Sequence, residues 1–525
     1  MKTKLRVAVV LPERTIPLWA AQMLARIQSS DAAEVTALLL VSGEVSSVDR
    51  LTKRLYRAHF ALDQRVFRPP SPHPWGTDDV GNILPKVCVF EGLTGENIAH
   101  LKSMKVDVLL NLGLRDYPET MPGCARYGAW TLRDAENRFV IGAEVGWREL
   151  IYRAPFLVCA LEVERRGHAK QIVAEATMAA NTFSFTWNQE SILWKAVVLV
   201  LRALLQLHRY GEKDLFAKAK TVGPPRKAPP LPSLRQMITL GSRQIADIYS
   251  EKIWRRMFPH PWALMARFGS EAEPLDWAGL KPIVPPRGAF WADPFVVKRE
   301  GQTYIFLEEY LYKTKRGHIA CMRIGEEGRL GRSQTVLERP YHLSYPFIFD
   351  FRGETYMIPE TAQNRTIEVY RCKRFPDQWS FEKTLMRDVH AVDTTMIQHA
   401  GCWWMFVNMR EEGGSTYDEL FLFYADDPLA ERWTSHPRNP IVTDVRSARP
   451  AGRLFHRDGR LIRPSQDSSH RYGHAINLNH VLTLTKTRYE ENLIDRLEPR
   501  DENMLAVHTF NFVDDVTVVD VLLRR

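Results

Sequence analysis

Trp291-Ala-Asp-Pro-Phe295 continues through Val297 and a Gly301 turn into Thr303-Tyr-Ile-Phe-Leu307, ending on the acidic pair Glu308-Glu309. Short apolar runs on either side of a glycine predict one β-hairpin. The same arrangement returns three times. Tyr345-Pro-Phe-Ile-Phe349 leads through Gly353 to Tyr356-Met-Ile-Pro-Glu360, and Asp393-Thr-Thr-Met-Ile397 through Gly401 to Trp403-Trp-Met-Phe-Val407. Arg449-Pro-Ala-Gly-Arg453 leads through Gly459 to Leu461-Ile-Arg-Pro-Ser-Gln-Asp467. The starts Asp293, Tyr345, Asp393 and Arg449 lie 52, 48 and 56 residues apart. A strand-rich unit recurring at about 50 residues has the period of a propeller blade.

Four repeats run from Asp293 to Asp467, and Val481 to Thr485 with Met504 to Val521 are expected to supply a fifth. A strand around Ile283 would close the ring and remove the exposed sheet edges. The predicted domain is a five-bladed, all-β propeller over 281–525. Few blades leave a narrow axial funnel lined by the first strand of each. Asp293, Tyr345, Asp393 and Arg449 should therefore converge on one pocket.

Upstream the pattern changes. Leu5 to Leu11, Val35 to Val41, Val87 to Phe90 and Val106 to Leu112 read as strands, separated by helical stretches at Pro17 to Ile27 and Gly92 to Met104, the second capped by Thr94. Strands alternating with helices imply an α/β domain with a mostly parallel, Rossmann-like sheet, assigned to 1–215. Pro12-Glu-Arg14 follows the first strand where a GxGxxG would stand, so the dinucleotide fingerprint is absent. Glu190 to Gly211 is one helical pattern, interrupted by Lys195 and Arg202 well short of the roughly 18 apolar residues a span requires. It is expected to be a packed core helix. Val222 to Leu234, with five prolines, suits a stiff linker. Ser242 to Phe268, containing Trp254, Arg255, Arg256, Trp262 and Arg267, reads as a basic helix that docks the propeller or rests weakly on a membrane surface. Residues 216–280 are thus assigned to linker and helical connector.

Composition narrows the function classes without naming one. The chain of 525 residues is 45% hydrophobic and 25% charged, ordinary for a globular protein. A net charge of +9, from 71 basic and 62 acidic residues spread along the chain, is too mild to predict a nucleic-acid partner. Six cysteines without a CxxC pair predict reduced, buried thiols and a cytoplasmic setting. No apolar h-region follows Met1-Lys-Thr-Lys4, so no signal peptide is expected. Oligomeric state is not legible.

Two resemblances extend this reading. Asp107 to Asn111, the Pro118 and Pro122 punctuation and Ala125-Arg-Tyr-Gly-Ala-Trp-Thr131 resemble the formyltransferase N-terminal domain. That family carries an Asn-x-His motif and a later Asp that polarise a formyl-folate carbonyl. Here Trp130-Thr-Leu-Arg133 stands instead, leaving Thr131, Arg133, Asp134 and Asn137 as a degenerate site. An arginine keeps its proton and cannot serve as a base. Formyl transfer is expected to be lost and no folate is expected, with N-formylation of an amino-sugar nucleotide as the competing activity.

The propeller resembles glycoside hydrolase family 43 and the arabinanase, levansucrase and invertase superfamily. The resemblance implies Asp293 as base or nucleophile and Asp393 as its pKa-setting partner. The family's general acid, a Glu opening the fourth blade, is Arg449 here. More closely, Tyr345-Pro-Phe with Met357-Ile-Pro-Glu-Thr361, Asp393-Thr-Thr, Arg446-Ser-Ala-Arg-Pro-Ala-Gly452 and Arg463-Pro-Ser-Gln-Asp467 resemble the N-terminal domain of plant glucosamine inositolphosphorylceramide transferases. The separate glycosyltransferase domain of that family has no counterpart in this sequence. These likenesses imply a carbohydrate-active protein whose partner is a sugar, nucleotide sugar or glycan. The expected catalytic set is Asp293, Asp393 and Glu360. The expected binding set is Trp291, His342, Tyr345, Arg446, Arg449, Arg463, Gln466 and Asp467, with the arginines clamping a phosphate or acidic sugar. No cluster has metal-ligand spacing, although such propellers sometimes hold Ca²⁺ in the axial channel. A glycan-binding protein without turnover is the remaining alternative.

Blander roles fit the same residues. Asp293 before a proline suits a turn, Glu360 fits pocket or rim, and His342 fits a satisfied polar contact. Glu308 and Glu309 cannot both face inward from one strand, so at least one is expected to be a solvated charge. Trp403 and Trp404 split between faces in the same way.

Overall fold

Leu5–Leu11 presents apolar side chains to both faces of its sheet, as a strand covered on both sides requires. In the computed structural model, which describes residues 2–41, 50–67, 74–114, 118–134, 146–222, 233–249, 261–268, 275–325, 329–411, 414–514 and 516–524, it is a central strand of the first of two compact units. The units are Met1–Ile248 and Tyr249–Arg525. In the first, Cys88–Glu91, Ala33–Leu40, Leu5–Leu11, Val108–Asn111 and Ala129–Arg133 lie side by side and parallel. Three antiparallel strands that the sequence reading had not resolved, Phe156–Glu164, Gln171–Ala179 and Lys220–Thr221, extend this sheet to eight.

Helix Phe185–Tyr210 starts where the Ser184 hydroxyl accepts the Trp187 amide, and it is long and apolar enough to cross a membrane by length and composition. It packs on Phe156–Glu164, Gln171–Ala179 and helix Leu18–Ser29 and buries Ile192, Leu193, Ala196, Val197 and Val200 in the core of this unit.

The second unit is the five-bladed propeller. Blade 1 is Ala289–Arg299, Gln302–Leu311, Arg316–Ile324 and Gln334–Leu337. Blade 2 is Ser344–Phe351, Glu354–Thr361, Thr366–Arg374 and Gln378–Arg387. Blade 3 is Ala391–His399, Cys402–Met409, Leu420–Ala425 and Thr434–Ser435. Blade 4 pairs Arg449–Pro450 and Phe455–Arg457 with Arg460–Asp467, followed by Ala475–Leu484 and Tyr489–Leu497. Aromatic and aliphatic side chains from adjacent blades interdigitate, among them Phe295, Phe306, Phe347 and Phe406, each 0–1% exposed. Truncating one of these to alanine removes about 3–5 kcal/mol of packing.

Closure departs from the sequence reading in two places. Val481 to Thr485 belongs to the third strand of blade 4, not to a fifth blade. Blade 5 is Met504–Val513 and Val516–Leu523 joined by Trp262–Phe268 and then Lys281–Ile283. Trp262–Phe268 is therefore a strand, where a helix over Ser242 to Phe268 was expected. Helix Leu234–Ile248 is formed, residues 250–260 (Trp254, Arg255 and Arg256 among them) lie outside the described residues, and Trp262 begins the strand. Of the side chains that suggested an interfacial helix, Trp262 and Arg267 stand on a strand that closes the ring. Most of the Pro-rich linker, 223–232, also lies outside the described residues.

Candidate functional site

Each inner strand of blades 1 to 3 breaks register at its repeat start. Pairing shifts between Ala292 and Phe295, between Ser344 and Phe347, and between Val392 and Thr395. At these bulges Asp293, Tyr345 and Asp393 take φ values of 51°, 45° and 53°. A non-glycine residue in this region costs on the order of 1–3 kcal/mol. Three such residues at equivalent positions turn one side chain per blade toward the axis. The inner strand of blade 5 has the same irregularity between Val507 and Phe510, which presents His508 and Thr509.

The axial side chains bond across blades. Asp293 accepts the Tyr345 amide (3.2 Å) and the Thr509 hydroxyl (2.9 Å), and its Oδ1 lies 3.2 Å from His508 Nε2. Asp520, fully buried, accepts the amides of Asp293, His508 and Thr509 and faces His508 Nδ1 at 2.8 Å. Asp393 takes Arg449 Nε at 2.5 Å, Arg449 Nη2 at 3.3 Å and Gln466 Nε2 at 3.0 Å. Tyr345 bonds Thr395 of blade 3 and the Gly452 amide of blade 4 through its hydroxyl, and packs edge-on against Phe295 of blade 1. It thereby ties four blades together at the axis. Gly452, at φ +123°, lies against the Phe510 carbonyl with no room for a Cβ.

A second ring comes from the second strands. Glu308, Glu360 and Asn408 pair with Ala292, Ser344 and Val392, each one residue before the left-handed residue of its blade. Gln466 pairs with Arg449 and takes this place in blade 4. His342 Nδ1 accepts the Gly317 amide (2.9 Å), so its proton sits on Nε2, 3.3 Å from Glu308 Oε1. Glu360 Oε2 lies 3.7 Å from Arg449 Nη2. Tyr417 and Tyr472 lie beside Arg449, with Tyr472 38% exposed at the mouth.

The environments drive the carboxyl groups apart. Burial works to raise Asp293, but the charge and hydrogen bond of His508, with Thr509, hold it below the usual carboxylate range. Burial, then the charges of Asp293 and Glu360, push Glu308 well above that range. Burial and the Asp393 charge do the same to Glu360, with Arg449 opposing. Burial also raises Asp393, against the pull of Arg449. Burial would lower His508, yet Asp520 and Asp293 raise it to about 10. These surroundings favour the ionised form of Asp293 and the protonated forms of Glu308 and Glu360.

Gly317 backs this arrangement. A Cβ there would stand 2.6 Å from Glu308 Oε1 and 2.7 Å from both His342 Cε1 and the Leu343 carbonyl. Gly317→Ala is expected to destabilise the propeller by about 1–3 kcal/mol. A thermal melt beside the wild type checks this.

Of the residues expected at the site, Asp293, Glu360, Tyr345, Asp393, Arg449, Gln466 and His342 come together. The others do not. Trp291 points the other way, donating to Glu309 Oε1 (2.8 Å), and Glu309 also meets His318 and Ser333. Glu308 and Glu309 are thus both partnered, where one solvated charge was expected. Arg463, 1% exposed, is bidentate to Glu491 and bonds the Ser447 carbonyl, and Arg446 is spent on Asp444. Asp467 pairs with Arg496. The anion clamp expected of the arginines is not formed, since Asp393 already fills the fork of Arg449. Trp403 and Trp404 are both packing residues, on opposite faces.

In the first unit Thr131 is fully buried and Arg133 is tied to Glu162 at 3.2 Å. Asp134 follows the end of that strand, half-buried, and Asn137 lies outside the described residues. Glu308, His508, Thr509, Asp520, Tyr417 and Tyr472 were missed. His508 had a signal, standing 59 residues beyond Arg449 and so continuing the repeat interval.

Asp293, His508 and Asp520 place ligand-type atoms within 4.8 Å of one another. Both ring nitrogens of His508 face carboxylates, so in this arrangement the imidazole bridges Asp293 and Asp520.

Residues 284–503 match the family model described as Glucosamine inositolphosphorylceramide transferase 1, N-terminal. The sequence is 35% identical over 206 residues to the protein named glucosamine inositolphosphorylceramide transferase 1 in Oryza sativa subsp. japonica, and 33% identical over 206 residues to that of Arabidopsis thaliana. Each similarity covers 38% of this chain and 27% of the relative, so the chain spans about a quarter of the length of the curated relatives it matches. A family 117 glycoside hydrolase, Zg3597 of Zobellia galactanivorans, superposes at a TM-score of 0.33 with 11% identity, over 49% of this chain and 90% of that one. The GH43_1 enzyme of Xanthomonas citri gives 0.33 and 12%, over 44% and 87%.

Proposed function

We propose, from the match of residues 284–503 and the chemistry of the pocket together, that this is a carbohydrate-active protein that cleaves or transfers a glycosidic bond at the propeller axis. The supporting observation is the pair of environments that ionise Asp293 while keeping Glu360 protonated. Acid–base work at a glycosidic bond needs one carboxylate and one carboxylic acid facing the same sugar. Asp293 is the base or nucleophile. Glu360 takes the acid role that the fourth blade, with Arg449 at its start, does not provide. The Asp393–Arg449 pair sets the field between them, and Tyr417 and Tyr472 offer aromatic faces to the sugar ring.

Because every arginine expected to clamp an anion is already paired, the substrate is read as carrying no phosphate at this site. We read the first unit as a formyltransferase-like α/β shell without formyl transfer, supported by the burial of Thr131 and the Arg133–Glu162 pair.

A panel of aryl glycosides assayed over pH tests the main reading. Activity should fall as pH rises through the elevated value of Glu360, because the acid form is lost there, and fall again on the acid side as Asp293 is protonated. Glu360→Gln and Asp293→Asn should each lower kcat by about 10²–10⁴-fold. Sugar binding with no turnover by the wild type would leave a glycan-binding protein in place of an enzyme.

A further inference from the structure

We propose that the first unit carries a docking face for a membrane surface rich in anionic lipid, formed by helices Arg50–Val66 and Leu234–Ile248. This goes beyond the carbohydrate reading and does not depend on it. Each helix has an inward face that is already satisfied. Phe60 packs edge-on against Phe185 at 5.3 Å, and Met237 and Leu240 join Trp147, Leu150 and Phe185 in a small core. Asp63, buried, accepts the Thr186 amide at 2.9 Å and Gln244 Nε2 at 3.3 Å. The two helices therefore lie against each other and against the start of Phe185–Tyr210. Arg243 donates to the Ile151 carbonyl, which holds helix Trp147–Tyr152 to the same layer.

The remaining faces are apolar where solvent favours polar side chains. Leu62 and Val66 stand one turn apart on the first helix, Ile238 and Ile245 two turns apart on the second, all 50–72% exposed. Tyr152 and Trp187, on the adjoining helices, are exposed as well. Among the described residues of this unit eight large apolar or aromatic side chains are exposed, and these are six of them. Scattered singly they would need no explanation, but they gather on one group of packed helices.

Charge selects the occupant. Arg54, Arg65 and Arg235 are exposed and form no ion pair among the described residues. Arg65 is three residues from Leu62 and Arg235 three from Ile238, so cation and apolar side chain are neighbours on each helix. Of the 17 residues of Arg50–Val66 five are Lys or Arg and one is acidic, the buried Asp63. The one acid of Leu234–Ile248, Asp247, is held by Arg153 at 3.2 Å. A second copy of this chain would bring the same positive charge to the contact, and the core of a protein interface is depleted of charge. An anionic bilayer offers phosphates and carboxylates to the guanidinium groups, and beneath them an apolar boundary to the Leu, Val and Ile side chains. Tyr and Trp suit the depth between the two.

Co-sedimentation of the full chain with extruded vesicles tests this, comparing phosphatidylcholine alone with a mixture containing about 30% phosphatidylserine. The mixed vesicles should bind about tenfold more tightly or better, and added salt should weaken that binding. Arg65→Glu combined with Arg235→Glu should lower the mixed-vesicle affinity by about tenfold or more. Ile238→Asp combined with Ile245→Asp should lower it comparably, and should melt with the wild type because both side chains are exposed. If a double variant fails to fold, the lipid and salt dependence of the wild type still decide. Equal binding to both vesicle types, or binding to neither, would overturn the proposal. Mixed-vesicle binding that survives in both folded double variants would place the contact elsewhere and overturn it too. A wild-type dimer in solution that Ile238→Asp with Ile245→Asp turns into a monomer would assign the face to a second copy instead.

Discussion

Arg449→Met should cost the propeller about 3–5 kcal/mol at pH 7, the largest single-residue loss expected at the site. The guanidinium is 8% exposed and bidentate to Asp393, itself 2% exposed, with Tyr417 and Tyr472 alongside. Removing the cation leaves a carboxylate buried without its counter-ion, with hydrogen bonds from Gln466 and the Glu360 carboxyl remaining. Urea denaturation of the full chain, followed by tryptophan fluorescence, measures the loss. Combining Arg449→Met with Asp393→Asn should restore more than half of it, since both buried charges are then gone. Arg449→Lys should fall between, because a point charge cannot serve both carboxylate oxygens. If Arg449→Met instead melts with the wild type and only loses affinity for phosphorylated sugars, the guanidinium faces ligand rather than Asp393, and the pairing described here is wrong.

His508 should make the propeller weaken in base. Its folded pKa, about 10, lies above the ordinary histidine value of 6.5, because Asp520 and Asp293 outweigh the effect of burial. A raised folded value means the bound proton stabilises the native state. That stabilisation is complete below about pH 6.5, declines above it, and is gone once pH passes about 10. Its full size is on the order of 3–5 kcal/mol for a shift of this extent at a buried residue. Asp293 acts in the opposite direction: its folded value is lowered, so its contribution holds above the ordinary carboxylate pKa and fades as pH falls through the lowered value. Unfolding free energies from pH 6 to pH 10 should slope downward in the wild type and much less in His508→Gln. Equal slopes would mean that His508 is neutral in the folded protein. The variant should also be less stable at pH 6, where Asp293 and Asp520 lose the cation between them.

The residues that line the axis were largely legible before any coordinates, because a blade's first strand always faces the funnel and the period identifies that strand. Asp293, Tyr345, Asp393 and Arg449 are named by the 52-, 48- and 56-residue intervals alone, and alternation in Gln302–Leu311 sends Glu308 and Glu309 to opposite faces. The parallel strands of the first unit were legible for a similar reason: doubly covered strands are apolar throughout. Partners were not legible. The Asp393–Arg449 bond joins residues 56 positions apart and the Asp293–Thr509 bond residues 216 apart. Neither follows from local pattern, because both exist only once the ring closes.

Closure itself depended on Trp262–Phe268. Its alternating Trp262, Leu264 and Ala266 against Ala263 and Met265 is too short to separate strand from helix by period, and only pairing with Val516–Leu523 decides it. Most consequential was charge. Arg449 in the place of the resembled family's acid, with Arg446 and Arg463, suggested a site for anions. In the folded protein those arginines meet Asp393, Asp444 and Glu491, so the forks that would hold an anion are already filled.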